Sequence, residues 1–232
     1  MKTIEYFIKD LNINVFKKTS QVKANSFIDI FDVDHRPSNK DSYLVIGKNI
    51  VGYGLNQLGY AVTEADGLGY SDNEHTNLNN IISQDKKYDY VIAPDEYFVN
   101  FATEEDQIKE IYKLSQLTNK GLYTTLKDYR NMHVSQRFFQ EPFDVKQDNG
   151  DSIIIRKRDW HKEDKQSWVQ REYIIKNDEL IVCDPVDCRT MYFKQLAKFS
   201  SDAGGKTFQV EKKQMYKPLF SKTYEYIVYI SF

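Results

Sequence analysis

The sequence predicts an α/β fold in which a mostly parallel sheet carries helices on both faces and an antiparallel β region follows it. Between residues 41 and 130, short apolar β-rich runs alternate with helical patterns, as expected of parallel strands joined by crossover helices. After residue 150 the apolar runs are joined by short polar turns, which is typical of antiparallel hairpins. A length of 232 residues suits one ample domain, or one domain with an insertion.

The first half of the chain alternates between helical and strand patterns. Residues 1–40 place apolar side chains at roughly helical spacing, which predicts an N-terminal helical segment before a domain of residues 41–232. Within that domain, "SYLVIG" and "YAVTEAD" are predicted as strands because they are short, apolar and rich in β-formers. A short helix lies between them, and Gly59 is expected to end it in the C-cap position.

Two more strands and the clearest helix of the chain follow. A long polar loop, "GLGYSDNEHTNLNN", leads to a third strand over Tyr90 to Ala93. Thr103 is expected to cap the next helix with Asp106 as its capping-box partner, and Gly121 is expected to stop that helix. "LYTTLKDY" is predicted as the fourth strand.

The second half is predicted to be mainly antiparallel. Residues 139–185 form an antiparallel β insertion in which "KNDE" makes a hairpin turn. Its tryptophans, Trp160 and Trp168, are expected to be half-buried, and the sharper alternative is a lid over the acceptor or a homodimer surface. "RTMYFKQLAKFSSDAGG" is an amphipathic helix ended by two glycines, and a closing pair of strands follows it.

Composition and charge argue against several classes of function. The net charge of −2 indicates no strongly basic face for a phosphate backbone. No apolar run approaches the roughly 20 residues needed to cross a bilayer, so we expect a cytoplasmic protein without a membrane partner. Cys183 and Cys188 have no second pair and no nearby histidine, so we interpret them as reduced thiols and expect no metal.

The order of these elements resembles the class I S-adenosylmethionine-dependent methyltransferases over most of residues 41–232. "YDYVIAPDEYF" and the helix and strand after it look like that family's fourth strand, following helix and fifth strand. "RTMYFKQLAKF" and the strands after it are similar to the family's last helix and final β-hairpin. The resemblance implies a Rossmann-like methyltransferase fold with an antiparallel final strand, S-adenosylmethionine as cofactor, and methyl transfer to a small polar molecule.

The resemblance also implies a cofactor site at the carboxyl ends of the first strands, where the strand order reverses. Glycines after the first strand let the backbone approach the ligand. An acid at the end of the second strand accepts hydrogen bonds from both ribose hydroxyls; Asp66 is the match, and Glu64 lies two residues earlier on the same face. The implied cofactor-binding residues are Gly47, Lys48, Gly52, Gly54, Glu64, Asp66, Pro94, Asp95 and Glu96.

The first cofactor motif departs from the family pattern. Val45 stands where the family usually has an acid, and Lys48 replaces a small residue. A cationic Lys48 near a sulfonium is unfavourable unless it turns away or meets the methionine carboxylate. Three explanations stay open: an altered but working pocket, a different nucleoside-bearing ligand, or a catalytically inactive relative that acts as a binding or assembly protein.

"APDEY" follows the strand that the resemblance places beside the reaction centre. Methyl transfer depends mainly on alignment of the acceptor, and a base is needed only if the acceptor must lose a proton. The candidate catalytic residues are Asp95, Tyr97 and His133. His35, Asp128 and Tyr129 are alternatives. "APDEY" has one proline, whereas enzymes that methylate a flipped base carry two here, which argues against a nucleic-acid substrate.

The candidate acceptor-binding residues lie near the last helix and the loop before the last strand. Arg189 and Tyr192 are expected one helical turn apart on one face at the start of the last helix, where an arginine suits a carboxylate or phosphate. Capping and core packing are the structural alternative. Tyr216 and Lys217 belong to an aromatic loop that is expected to close over a small-molecule acceptor.

Overall fold

The computed structural model contains two β-sheets and the helices that pack on them. It describes residues 38–46, 51–65, 78–94, 96–128, 137–139, 143–145, 152–161, 166–176, 179–216 and 223–232. The predicted N-terminal helical segment lies almost entirely outside these residues, so it stays a prediction, as does the division of the chain into domains. Among the described residues, no helix is long and apolar enough to cross a membrane.

The first half of the chain alternates between strands and helices, as predicted. Its elements are β1 (Ser42–Ile46), α1 (Val51–Gln57), β2 (Ala61–Ala65), α2 (Leu78–Ser83), β3 (Tyr88–Ala93), a 3-10 turn (Tyr97–Asn100), α3 (Glu104–Ser115) and β4 (Thr118–Lys127). The second half is mostly strands. Its elements are β5 (Arg137–Phe139), β6 (Phe143–Val145), β7 (Ser152–Trp160), β8 (Ser167–Lys176), β9 (Glu179–Val182), β10 (Val186–Arg189), α4 (Phe193–Asp202), β11 (Thr207–Tyr216) and β12 (Thr223–Ser231).

The central sheet has the strand order β11-β12-β4-β3-β1-β2. β1 is parallel to both β2 and β3, and β3 is parallel to β4. β12 is antiparallel to β4 and pairs with β11 in the closing hairpin. The strand order reverses at β1, so the carboxyl ends of β1 and β3 flank the crevice where sheets of this kind bind ligands. The mostly parallel sheet with an antiparallel final strand is therefore confirmed.

The second sheet is antiparallel and has the order β10-β8-β7-β5, with β6 also paired to β7 and β9 also paired to β8. The predicted antiparallel insertion is confirmed. β10 is not among the predicted strands, although Val186 and Cys188 alternate with charged residues over its four residues. Its pairing with β8, in which Cys188 lies opposite Trp168, is what makes it a strand.

Helices cover both faces of the central sheet, as predicted. On one face, Leu78 of α2, Ile111 of α3 and Leu196 of α4 belong to a single buried cluster. On the other face, Val51 and Leu55 of α1 pack with a separate buried cluster. The tryptophans of the second sheet join the first cluster, which fixes that sheet against the same face as α3 and α4.

Two local predictions are wrong. The polar loop before β3 contains α2, a short helix in which Leu78 and Ile81, three residues apart, are both buried. Gly121 does not stop α3, which ends at Ser115; it lies inside β4. A Cβ atom at Gly121 would come 2.7 Å from the carbonyl oxygen of Ile230, so the glycine permits the close approach of β12.

Candidate functional site

The start of α1 and the end of β2 face each other at the carboxyl edge of the parallel strands. Gly52 lies in the first turn of α1 and is buried, as is Gly54 in the same helix. A Cβ atom at Gly52 would come 2.7 Å from the carboxyl carbon of Glu64 on β2 and would overlap its carboxylate. Glycine at this position therefore allows the Glu64 carboxylate to lie against the backbone of α1.

Glu64 is a carboxylate with an altered affinity for protons. It lies one residue before the end of β2 and opposite Val45 of β1. Much of the side chain is exposed, but protein atoms surround its carboxyl group, and this burial raises the pKa of Glu64 above its ordinary value of 4.5. The acid and the glycine backbone therefore lie together at the sheet edge, and their role in cofactor binding stays a prediction.

Several predicted site residues lie outside the described residues. They are Gly47, Lys48, Asp66, Asp95, His133 and Lys217, together with the alternatives His35 and Tyr129. Tyr216 is described only as the last backbone position of β11. Their predicted roles are therefore untested.

The segment after β3 turns sharply at Glu96, the residue after Asp95. Pro94 is buried, and Glu96 has φ 59° and ψ 39°, in the left-handed region that non-glycine residues rarely adopt. The Glu96 N–H donates to Oγ1 of Thr125 at 2.8 Å, and the Thr124 hydroxyl donates to the Ala93 carbonyl oxygen at 2.8 Å. Two threonines of β4 therefore hold a strained turn in place beside the end of β3.

The Glu96 side chain is the anion of a buried ionic cluster. Its Oε2 atom accepts from Nζ of Lys127 at 2.6 Å and lies 3.5 Å from Nη2 of Arg158. The three side chains are 1%, 9% and 2% exposed respectively. We call these three residues the Glu96 cluster. Such burial is tolerated only because opposite charges are paired at short range.

The Glu96 cluster joins the second sheet to the turn after β3. The Arg158 guanidinium stacks 4.7 Å from the ring centre of Trp168, and its Nε atom donates to Oε1 of Gln170 at 3.2 Å. The Gln170 amide donates to Oδ1 of Asn100 at 3.2 Å. A continuous set of polar contacts therefore runs from the sheet insertion to the segment where the catalytic residues are predicted.

Tyr97 is held in the core by α3. Its hydroxyl donates to Oε1 of Glu110 at 2.7 Å, and only 2% of the residue is exposed. Burial raises the pKa of Glu110 above its ordinary value of 4.5, although Lys113, 3.6 Å away, and the Tyr97 hydroxyl both favour the ionised form. The Tyr97 hydroxyl therefore has a structural partner, in addition to any role in catalysis.

Replacing Glu110 by glutamine should stabilise the protein at pH 7. The folded state holds the Glu110 proton more tightly than the unfolded state, because its pKa is raised from 4.5. The wild type therefore loses stability as the pH rises from 4.5 through the folded pKa, whereas glutamine has no proton to lose and still accepts from Tyr97. Urea unfolding between pH 4.5 and 7.5 should show a gain for Glu110→Gln that shrinks as the pH falls.

Glu105→Gln is the control, because Glu105 lies on the exposed face of the same helix. It should change stability little at any pH in this range. A Glu110→Gln protein that is less stable than the wild type by the same amount at every pH contradicts the proposed cost of ionising Glu110.

The predicted acceptor-binding pair lies at the junction of β10 and α4. Arg189 is in β10, so the expectation that it shares a helical face with Tyr192 is wrong: it pairs with Ser167 of β8, and α4 begins at Phe193. Arg189 Nη2 donates to Oε1 of Gln166 at 3.0 Å and lies 3.7 Å from Oε1 of Glu104.

Tyr192 precedes the first residue of α4, and its N–H donates to Oε1 of Gln195 at 3.0 Å. The capping alternative is therefore observed for Tyr192. Cys183 and Cys188, both among the described residues, form no disulfide. In the part of the chain that the structure describes, no group of three His, Cys, Asp or Glu side chains is arranged to hold a metal ion.

The cations of the Glu96 cluster and the amide beside them were not among the predicted site residues. Arg158 and Trp160 lie two residues apart on β7, and Trp168 and Gln170 lie two apart on β8, so each pair shares a strand face. In the sequence, this alternation of tryptophan with a long polar residue was the pattern from which these residues could have been found. It indicates a buried face that contains its own hydrogen-bonding groups.

No protein-family model and no curated protein matches the chain. Solved structures do share its fold. The CcbJ methyltransferase from Streptomyces caelestis is 11% identical, with 90% of this chain and 94% of that chain covered and a TM-score of 0.54. An S-adenosylmethionine-dependent methyltransferase from Clostridium acetobutylicum is 12% identical, with 96% and 93% covered and a TM-score of 0.54. DesVI from Streptomyces venezuelae is 8% identical, with 94% and 98% covered and a TM-score of 0.51. The chain therefore has the class I methyltransferase fold.

Proposed function

We propose that the protein transfers a methyl group from S-adenosylmethionine to a small polar molecule. The observation that carries this proposal is the Glu64 carboxylate lying against Gly52 at the carboxyl edge of β1 and β2. The fold supports it, because two of the structural neighbours above are named as methyltransferases and one of those as S-adenosylmethionine-dependent. Fold alone does not fix function, so the site residues carry the argument.

The residues at this edge fit the nucleoside half of the cofactor. A carboxylate offers only acceptor atoms, which suits the two hydroxyls of a ribose. We assign this role to Asp66, supported by Glu64. A side chain at Gly52 would fill the space that Glu64 occupies, so the glycine lets the Glu64 carboxylate lie at the edge where we place the cofactor. Gly47 and Gly54 complete the close approach, and we expect Lys48 to meet the carboxylate of the methionyl end.

The remaining predicted residues are assigned to the acceptor side. S-adenosylmethionine supplies a methyl group that is already activated by the sulfonium. The protein therefore needs mainly to hold the acceptor in line and exclude water. We assign alignment to Pro94, Asp95 and Tyr97, removal of a proton from the acceptor to His133 or Asp95, and acceptor contacts to Arg189, Tyr192, Tyr216 and Lys217.

One observation favours a second candidate, a catalytically inactive relative that binds or assembles. Glu96 is occupied by Lys127 and Arg158, and the Tyr97 hydroxyl by Glu110. Two residues of "APDEY", the segment expected beside the reaction centre, are thus engaged in structural contacts. Ligand binding separates the candidates, because an assembly protein has no need of the cofactor.

Titration calorimetry with S-adenosylmethionine and S-adenosylhomocysteine tests the proposal. We expect both to bind, and Asp66→Ala to weaken binding by about 1–3 kcal/mol, the range for a lost hydrogen bond to a charged group. Gly52→Ala should also weaken binding, because the added methyl group displaces Glu64. Asn56→Ala is the matched control, since Asn56 is exposed on the same helix, and it should leave the affinity unchanged.

Two outcomes contradict specific parts of the assignment. Absence of heat from either ligand at high concentration removes the methyltransferase proposal and leaves the inactive relative. Binding that Asp66→Ala does not change means that the ribose lies elsewhere on the sheet edge.

A further inference from the structure

Strand β9 exposes three consecutive apolar side chains at the edge of the second sheet. Leu180, Ile181 and Val182 are 48%, 48% and 60% exposed. Successive side chains of a strand point to opposite faces, so both faces of β9 are apolar and open to solvent. Among the described strands, β9 pairs only with β8.

The rest of this edge and the β11 edge of the central sheet are protected against pairing with another chain. β11 carries Lys212 and Lys213 and has an irregularity in its register between Val210 and Lys212. β10 pairs with the same side of β8 as β9 does, and it carries Asp187 and Arg189. Charges and bulges of this kind prevent edge-to-edge association. The apolar run of β9 has neither, so its edge is suited to pairing.

The backbone of β9 offers hydrogen-bonding groups at defined positions. The Cys183 N–H, just after β9, donates to the carbonyl oxygen of Glu172 at 3.0 Å, so the β9 residues that bond to β8 are Ile181 and Glu179, two and four residues earlier. In an antiparallel ladder the intervening residues direct their N–H and C=O groups the other way. The outward groups of β9 are therefore those of Leu180 and Val182.

We propose that β9 pairs with β9 of a second copy of this chain, antiparallel, about a two-fold axis at Ile181. This register places Leu180 opposite Val182 of the second copy, which is the pair whose outward backbone groups can exchange hydrogen bonds. It also places Ile181 opposite Ile181 of the second copy. The outward-pointing backbone groups and the apolar side chains are therefore both compatible with this register. A two-fold axis requires the same strand of each copy to pair with itself in this way.

The apolar surface continues from β9 into the sheet behind it. On one face Leu180 lies opposite Ile175 of β8 and Val182 opposite Tyr173, and on the other face Ile181 lies opposite Ile174. Joining two copies at β9 would therefore continue two apolar sheet faces across the axis. Because the pairing strand is only four residues long, the interface is smaller than that of a standard stable complex. We expect a dimer that dissociates on dilution. This inference does not depend on the proposed methyl transfer.

Sedimentation velocity over a hundredfold range of protein concentration tests the dimer. The wild type should shift from the monomer to the dimer as concentration rises, and Ile181→Lys should remain a monomer. Val210→Lys is the matched control: Val210 is also 48% exposed on an edge strand, and the change should leave the dimer intact. A wild type that stays monomeric throughout, or a dimer that survives Ile181→Lys, overturns the proposal.

Disulfide trapping tests the register. Ile181 faces its own copy in a non-hydrogen-bonded pair, in which Cα atoms are about 4.5 Å apart, within the range that a disulfide spans. In a Cys183→Ser background, Ile181→Cys should therefore form a covalent dimer on oxidation. Leu180→Cys should not, because the two copies of residue 180 lie diagonally, beyond about 7 Å. Equal trapping of both variants overturns the proposed register.

Discussion

Glu96→Ala should lower the free energy of unfolding by about 3–5 kcal/mol, the cost of removing one partner from a buried ion pair. The change leaves Lys127 and Arg158 buried with their shared acceptor gone. Alanine keeps a Cβ atom at a position with φ 59°, so the backbone strain is the same before and after the substitution. Urea unfolding at pH 7 measures the difference.

Glu105→Ala provides the comparison for this charge deletion. Glu105 pairs with Lys109 at 2.8 Å on the exposed face of α3, where the two side chains are 77% and 66% exposed. Exposed pairs of this kind contribute about 0.3–0.5 kcal/mol, so the control should cost no more than that. If Glu96→Ala costs as little as Glu105→Ala, the Glu96 cluster does not stabilise the fold.

Trp168→Ala should cost about 3–5 kcal/mol, as expected when a large buried aromatic side chain is truncated. Trp168 is fully buried. Its ring centre is 4.5 Å from that of Trp160, and the Arg158 guanidinium stacks over its ring at 4.7 Å from the ring centre. The substitution removes this packing and leaves a cavity between the second sheet and the helices. Thermal and urea unfolding should both report the loss.

Tyr112→Ala is the control for loss of an aromatic ring, because Tyr112 is 57% exposed on α3. A surface change of this kind should stay within about 0.5 kcal/mol. A small effect of Trp168→Ala would contradict the packing described above and would favour a mobile lid. The expectation of half-buried tryptophans is wrong for both residues, since Trp160 is only 8% exposed.

The burial of these tryptophans was not predicted, and neither was the ionic cluster that lies beside them. Gly52 and Glu64 were singled out by local signals, a glycine after a buried strand and an acid near the end of the next strand, and their role in cofactor binding stays a prediction. The Glu96 cluster was not singled out. Arg158 is 62 residues from Glu96, and Gln170 is 70 residues from Asn100. No local pattern relates positions so far apart, and only the packing of the second sheet brings them together.

The sequence by itself determined the elements whose causes are local. Gly59 and Gly204 end their helices with φ of +86° and +89°, which glycine adopts without strain. Thr103 accepts from the Asp106 N–H at 3.1 Å, as its capping pattern predicts. The alternation of apolar runs with helical patterns determined the parallel sheet, because each crossover is a contact between neighbours in the chain.

Tertiary structure alone decided which distant segments of the chain pair with each other. Gly121 follows a helical pattern as a glycine that ends a helix does, but it lies in β4, where the absence of a side chain allows β12 to come close. Arg189 has helical spacing to Tyr192, but pairing with β8 draws it into a strand. In each case a contact with a distant segment outweighs a weak local preference, because burial and sheet pairing are worth more than the propensity of one residue.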